Sequence, residues 1–228
     1  MKYSIIILIA LFNLQLGISQ SFAIVKDQDG YSNIRNGEGV VIDRLITDTP
    51  VFCFGYDEND EGWVSIDYSR GGILESGSIH KSRLVYIFKY TEIPVSKKED
   101  ESIILSNESI KISLEKEKFT PKNYYLTYDK DKNLIQINNN HIWGADGNIP
   151  QEQYKAITIS INSQKVFFPK SAFENTFSPN LSNTQAFYDK EENRLYLSTL
   201  NGDGAGGYVV LWVFKNGIYE DRLITNGF

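Results

Sequence analysis

The sequence predicts an all-β protein, and three observations support this prediction. Apolar and polar residues alternate along Trp63–Tyr68, Ile110–Leu114 and Ile157–Ile161, which is typical of strands with one buried face. Turn-forming pairs such as Asn216-Gly217 separate the alternating stretches. No long stretch repeats apolar residues at the 3.6-residue spacing of an amphipathic helix.

The N-terminus has the pattern of a secretory signal peptide over residues 1–19. Lys2 precedes the apolar run Ile5–Phe12, and the small residues Gly17 and Ser19 follow it. The apolar run is shorter than the ~20 residues that a membrane-spanning helix needs. We therefore expect cleavage after Ser19 and a periplasmic or secreted protein without a stable membrane anchor.

Composition limits the choice of partners. Asp and Glu number 29 against 23 Lys and Arg, and the net charge is −6. Such a chain lacks the clustered basic residues that bind phosphate backbones, so we expect no nucleic-acid partner. Cys53 is the only cysteine, which excludes an intrachain disulfide. No motif predicts a cofactor.

The mature chain divides into two predicted parts. Residues 22–88 consist of short strands and close turns, which favours a small barrel. Residues 89–102 contain Pro94 and the charged run Lys97–Glu101, so a solvated linker is predicted there. Residues 103–228 then form a second β-rich domain, either a sandwich or a sheet.

The motifs of residues 22–88 resemble those of bacterial SH3 domains, over about 65 residues in matching order. The matching segments are Ala23–Val25, Asp29–Arg35, the bend Asn36–Gly39, the Gly-Trp strand Glu61–Ile66 and the closing Ser76–Leu84. The resemblance implies an SH3-like barrel, and it implies binding of peptide or cell-wall material rather than catalysis.

Trp63 is the leading candidate for the ligand-binding surface. If Val64 and Ile66 fill the barrel, alternation places the Trp63 side chain outside, where an indole offers an apolar platform with one N–H donor. Tyr31, Tyr68 and His80 are the further candidates. The alternative is that Trp63 packs beneath a neighbouring loop or against the second domain.

Two polar residues of the barrel have two interpretations each. Arg35 is expected to fasten its own bend, and the alternative is a bidentate bond to a ligand carboxylate. His80 is either a structural residue near a strand end or a member of the Trp63 surface.

Gly202–Gly207 matches the G-x-G-x-x-G pattern of dinucleotide-binding sites. That pattern requires a helix after the glycines, whereas Tyr208–Phe214 has the sequence of a strand. The favoured interpretation is a hairpin loop in which Asp203 caps its own backbone, and the alternative is a ligand loop with Asp203 as an acceptor. This C-terminal region resembles only uncharacterised exported bacterial proteins, which implies no activity.

Catalytic and metal-binding patterns are weak. Cys53 lies within the strand-like Val51–Phe54 and not at a helix start beside a histidine, so a cysteine peptidase is excluded. Asp129-x-Asp131-x-Asn133 begins like a Ca²⁺ loop but lacks the glycine and the final glutamate. We therefore predict no metal site and no enzyme activity.

Three functional hypotheses follow. The first is a two-partner hypothesis: an exported, non-catalytic binding protein whose SH3-like domain binds peptide or cell-wall material and whose β-rich C-terminal domain binds a second partner. The expected partners are a peptide, a peptidoglycan fragment or an exported protein. The second is a periplasmic inhibitor or immunity-type protein. The third and weakest is a hydrolase that uses carboxylates near His141, Asp146 and Glu152.

Overall fold

The computed structural model describes residues 20–55, 62–202 and 204–227. Within these ranges the chain forms strands and short 3₁₀ turns without an α-helix, which confirms the all-β prediction. In the same ranges no helical segment has the length and apolar character needed to cross a bilayer. The predicted signal peptide lies outside the described residues.

The first part is a seven-stranded sheet that curls into a half-barrel, with strand order β3-β2-β6-β5-β4-β1-β7. Its strands are β1 Gln20–Val25, β2 Tyr31–Arg35, β3 Val41–Ile46, β4 Pro50–Phe54, β5 Trp63–Arg70, β6 Ile73–His80 and β7 Leu84–Tyr86. The alternation of β5 is observed as predicted, because Val64 and Ile66 are buried in the core of the half-barrel. Trp63 therefore lies on the outer face.

The second part contains two five-stranded sheets and one three-stranded sheet. The central sheet has the order β20-β19-β18-β17-β8, the outer sheet β16-β15-β11-β10-β9, and the small sheet β12-β13-β14. The strands are β8 Thr91–Glu92, β9 Val95–Lys98, β10 Ser102–Ser106, β11 Ile110–Lys118, β12 Leu126–Tyr128, β13 Leu134–Ile137, β14 Asn140–His141, β15 Glu152–Ile161, β16 Gln164–Val166, β17 Gln185–Asp189, β18 Arg194–Asn201, β19 Tyr208–Lys215 and β20 Ile218–Thr225.

The central sheet is buried on both faces. Alternate side chains of β19 enter two different apolar clusters, one shared with the half-barrel and one shared with the outer sheet. The first set is Val209, Leu211 and Val213, and the second is Tyr208, Val210, Trp212 and Phe214. Burial on both faces explains why this strand is a nearly continuous apolar run.

The half-barrel and the second part share an apolar interface. Phe22, Ile24 and Phe52 project from the outer side of β1 and β4 into the same buried cluster as Leu211 and Val213 of the central sheet. Removing such side chains from water is the main favourable contribution to association of the two parts.

Charged residues bridge the edge of this interface. Arg194 contacts Asp48 at 2.7 Å, and Lys26 bonds both Asp48 and Glu192. Burial alone would raise the pKa of Asp48, but the hydrogen bond from Lys26 and the charge of Arg194 outweigh it and hold that pKa below its usual value. Lys26 of the half-barrel and Arg194 of the second part thus both contact the Asp48 carboxylate.

The structure corrects the prediction of a solvated linker at residues 89–102. Strand β8 pairs with β17 of the central sheet, and β9 pairs with β10 of the outer sheet. Between them Ile93 is 1% exposed and belongs to the core of the second part. The sequence did not reveal these strands because β8 and β9 lie at sheet edges with exposed side chains, so their alternation is weak.

Two hairpins occur where the glycine pairs predicted them. Asn216 and Gly217 join β19 to β20, both with positive φ, as a tight two-residue hairpin turn requires. Gly202–Gly207 connects β18 to β19, with Asn201 opposite Tyr208. A strand and not a helix follows these glycines, so the dinucleotide pattern is a coincidence.

Candidate functional site

An open groove on the outer face of the half-barrel brings together three of the predicted site residues. It has a volume of about 370 Å³ and lies between β2 and the segment formed by the end of β6 and the 3₁₀ turn Lys81–Arg83. The lining residues are Asp27, Asp29, Tyr31, Ser32, Asn33, Arg35, Trp63, His80, Ser82 and Arg83. The predicted residues among them are Tyr31, Trp63 and His80.

The shape of the groove follows from the register of the sheet. Strands β2 and β6 are adjacent, but Arg35 and Ser78 form their only residue pair. Beyond this pair β2 and the 3₁₀ turn separate, and the groove occupies the space between them. The Arg35–Ser78 pair bounds the groove at one end, and the ion pair between Arg83 and Asp27 lies at the other.

Trp63 is half-buried in one wall of this groove. The His80 ring packs edge-on at a centroid distance of 5.5 Å, and the Arg35 guanidinium carbon lies 5.6 Å from the indole centroid. Both contacts come from the half-barrel itself, and Trp63 lines an open groove rather than an interface with the second part. These two contacts restrict the orientation of the indole.

Arg35 fastens its own bend, as predicted. Its Nη1 donates a 2.6 Å hydrogen bond to the carbonyl oxygen of Gly39. That bond uses one of five N–H donors, so it leaves others for a ligand. Both interpretations of Arg35 are compatible with the geometry.

His80 has a structural bond on one side of its ring. The backbone N–H of Ser82 donates to His80 Nδ1 at 3.3 Å and the Ser82 hydroxyl oxygen lies 2.8 Å from the same atom, which caps the 3₁₀ turn. With Nδ1 accepting, the neutral ring carries its proton on Nε2. His80 thus combines the structural interpretation with a place in the groove wall.

Tyr31 lies at the rim of the groove and is 38% exposed. The Arg44 guanidinium carbon stands 4.8 Å from its ring centroid, and Arg44 Nε donates to Asn33 Oδ1 at 3.2 Å. A second guanidinium, from β3, therefore lies over an aromatic ring of β2.

Tyr68 does not belong to this surface, which corrects the prediction. The side chain is 2% exposed in the core of the half-barrel, and its hydroxyl donates to Asp43 Oδ2 at 3.1 Å. Burial raises the pKa of Tyr68 to about 12. The physical reason is the period of the strand, since Tyr68 lies two residues after Ile66 and so faces the core.

The other predicted polar residue, Asp203, lies outside the described residues. The adjacent Gly202 has a positive φ, and a Cβ there would lie 2.6 Å from the carbonyl oxygen of Gly206. Tight backbone contact across the loop thus accounts for a glycine at position 202.

A second depression of about 600 Å³ lies in the second part and contains Asp146 and Glu152. Glu152 is paired with Lys116 at 2.8 Å. His141 is absent from the described lining and packs against Trp143 instead. The structure thus brings two of the three residues of the hydrolase hypothesis together.

The Asp129 loop has a structural explanation. The Asp129 carboxylate accepts hydrogen bonds from the backbone N–H groups of Asp131 and Asn133 and from the Asn133 amide. These bonds give the Asp129 carboxylate a structural role in its own turn. In the described ranges no group of three His, Cys, Asp or Glu side chains is placed to bind a metal.

Sequence reasoning missed several residues of the groove. Asn33 could be predicted from the sequence, since it alternates with Tyr31 and Arg35 on the outer face of β2. Asp27 could not be predicted from the sequence, because its partner Arg83, at 2.8 Å, lies 56 residues away in the chain.

Gly62 adjoins the groove, and a Gly62→Ala variant is expected to displace His80. Gly62 has a φ of +87°, and a Cβ would lie 2.6 Å from His80 Nε2. Gly72→Ala is the matched control, because Gly72 has a φ of +85° and open space around it. We expect Gly62→Ala to lose about 1–3 kcal/mol more stability than the control in denaturant unfolding. Equal losses and an unchanged Trp63 indole NMR signal in both variants would contradict the contact.

No protein-family model, curated protein or solved structure matches this chain. The resemblance to bacterial SH3 domains therefore stays a prediction from the residues quoted above.

Proposed function

We propose that the protein is an exported, non-catalytic binding protein that holds peptide or cell-wall peptide material in the groove of the half-barrel. One observation carries the proposal, namely that Trp63 lines an open groove in contact with the side chains of both Arg35 and His80. An aromatic platform with a few convergent polar groups is the common composition of a ligand site.

The position of the groove supports this role. The outer-face residues Phe22, Ile24 and Phe52 are buried against the central sheet. Trp63 and Tyr31 line the open groove instead. The second part thus supports the half-barrel while leaving the groove accessible to a ligand.

The groove volume limits the size of the bound segment. About 370 Å³ is near the lower end of the range for small-molecule sites, which suits a short peptide segment. The second part remains available for a different partner, as in the two-partner hypothesis.

Retention on purified peptidoglycan tests the proposal. The mature protein and its Trp63→Ala variant are incubated with insoluble peptidoglycan, and the bound fraction is measured after centrifugation. We expect the variant to bind about tenfold more weakly, because it loses the aromatic platform.

Phe167→Ala is the matched control. Phe167 is 80% exposed and lies in the second part, away from the groove residues. It should be retained like the unmodified protein. Absence of retention, or equal retention of all three proteins, would count against the proposal. Co-purification of a stoichiometric exported protein in place of peptidoglycan would support the inhibitor or immunity-type alternative.

A further inference from the structure

Two guanidinium groups, that of Arg35 in the groove wall and that of Arg44 on the Tyr31 ring at the rim, have no negatively charged partner among the described residues. The hydrogen bond of the Arg35 guanidinium goes to the neutral carbonyl of Gly39, and that of Arg44 goes to the neutral amide of Asn33. By contrast, Arg83 at the other end of the groove is paired with Asp27. Arg35, which contacts the Trp63 ring, is therefore a positive charge without a bonded carboxylate within the described part of the chain.

Stacking prepares Arg35 to bind an anion. The delocalised guanidinium is planar, and its N–H groups match the two oxygens of a carboxylate; contact with an aromatic ring fixes the orientation of that plane. The bond to Gly39 fixes the group further. Less conformational entropy is lost when a ligand binds a side chain that is already held in place.

The strand pairing at the Arg35 end of the groove indicates which part of a ligand contacts Arg35. Strands β2 and β6 join at the Arg35–Ser78 pair, so an extended chain between them cannot continue past this point. Gly77 precedes Ser78 in β6, and a Cβ there would lie 3.2 Å from the backbone carbonyl oxygen of Arg35, so the two strands are close together at this point. The end of a chain fits this position better than its middle.

We propose that the groove recognises the free C-terminal carboxylate of a short peptide, with Arg35 binding the carboxylate and Trp63 contacting the preceding residue. This inference rests on the proposed function and specifies its ligand. Away from Arg35 the peptide passes Tyr31 and approaches the exposed residue Asp29.

Three acetylated peptides test the inference by NMR of the tryptophan indole N–H signals of the full mature chain. They are Ac-Ala-Ala-Ala with a free carboxyl, the same peptide as an amide, and the amide Ac-Ala-Glu-Ala-NH₂. A Trp63→Phe variant assigns the Trp63 signal. We expect the free acid to shift this signal and to bind about tenfold more tightly than either amide, because a charge-assisted bidentate pair is lost in the amides.

Variants of Arg35 separate charge from geometry. Arg35→Lys keeps a charge and a donor but loses the fork, and we expect about tenfold weaker binding of the free acid with little change for the neutral amide. Arg35→Gln should abolish the preference for the free acid. Arg70→Gln is the matched control, since Arg70 is an exposed arginine of the same half-barrel that pairs with Asp43. Thermal melting of each variant verifies folding, and Arg35→Lys keeps the test valid should Arg35→Gln fail to fold.

The outcomes distinguish recognition of a C-terminal carboxylate from the proposed peptide-binding function. Equal binding of the free acid and the neutral amide would overturn carboxylate recognition and leave peptide binding intact. Equal binding of the glutamate amide and the free acid would overturn the assignment to a chain terminus. If no peptide shifts the Trp63 signal and peptidoglycan retention is also absent, both proposals fail.

Discussion

Replacing Asn201 by leucine is expected to lower the free energy of unfolding by about 3–4 kcal/mol. Asn201 is fully buried at the end of β18. Its Nδ2 donates to the hydroxyls of Tyr154 and Tyr208 at 3.0 and 3.1 Å, and its Oδ1 accepts from the backbone N–H of Asn180 at 2.8 Å. Leucine would leave several of these buried groups without a partner.

Two further variants show whether the loss arises from unsatisfied hydrogen bonds. Asn183→Leu is the matched control, because Asn183 is exposed and makes one 3.3 Å bond to the carbonyl of Leu200, so it should cost less than about 0.5 kcal/mol. Adding Tyr154→Phe to Asn201→Leu removes one orphaned hydroxyl and should recover about 1 kcal/mol. Chemical denaturation measures each value. A double variant no more stable than Asn201→Leu would contradict this explanation.

Phe52→Ala is expected to weaken the association of the half-barrel with the central sheet and to cost about 3–4 kcal/mol. The Phe52 ring is 5.0 Å from that of Phe22, and both lie in the apolar cluster that also contains Leu211 and Val213. The loss combines the transfer of the ring to water with the cavity left between the two parts.

Calorimetry and denaturant unfolding of the mature protein test this expectation. The unmodified chain should unfold in one transition, because the two parts share buried surface, whereas Phe52→Ala should broaden or split it. Phe167→Ala, which removes an exposed ring of the same type, should change stability by less than about 0.5 kcal/mol. A Phe52→Ala chain as stable as this control would show that the two parts are independent.

Local periodicity determined much of the fold from sequence. The alternation around Val64 and Ile66 predicted both the strand and the outward position of Trp63, because successive side chains of a strand face opposite sides. The same rule excluded Tyr68 from the surface, so that error came from incomplete use of the pattern. The Asn216-Gly217 hairpin was also predictable, since its positive φ angles suit these residue types.

Only the tertiary structure decided the features that depend on distant residues. The expected linker belongs to two sheets, because β8 pairs with β17, β9 pairs with β10, and Ile93 between them is buried. No local sequence pattern indicates such pairings. The groove likewise exists because β2 and β6 join at a single pair and then separate. By itself the sequence determined the strands that alternate clearly, the closing hairpin and the outward Trp63, since these follow from near neighbours in the chain. Contacts between residues far apart in sequence decided how the two parts pack. Such contacts also placed Arg35 where β2 pairs with β6 at one end of the groove.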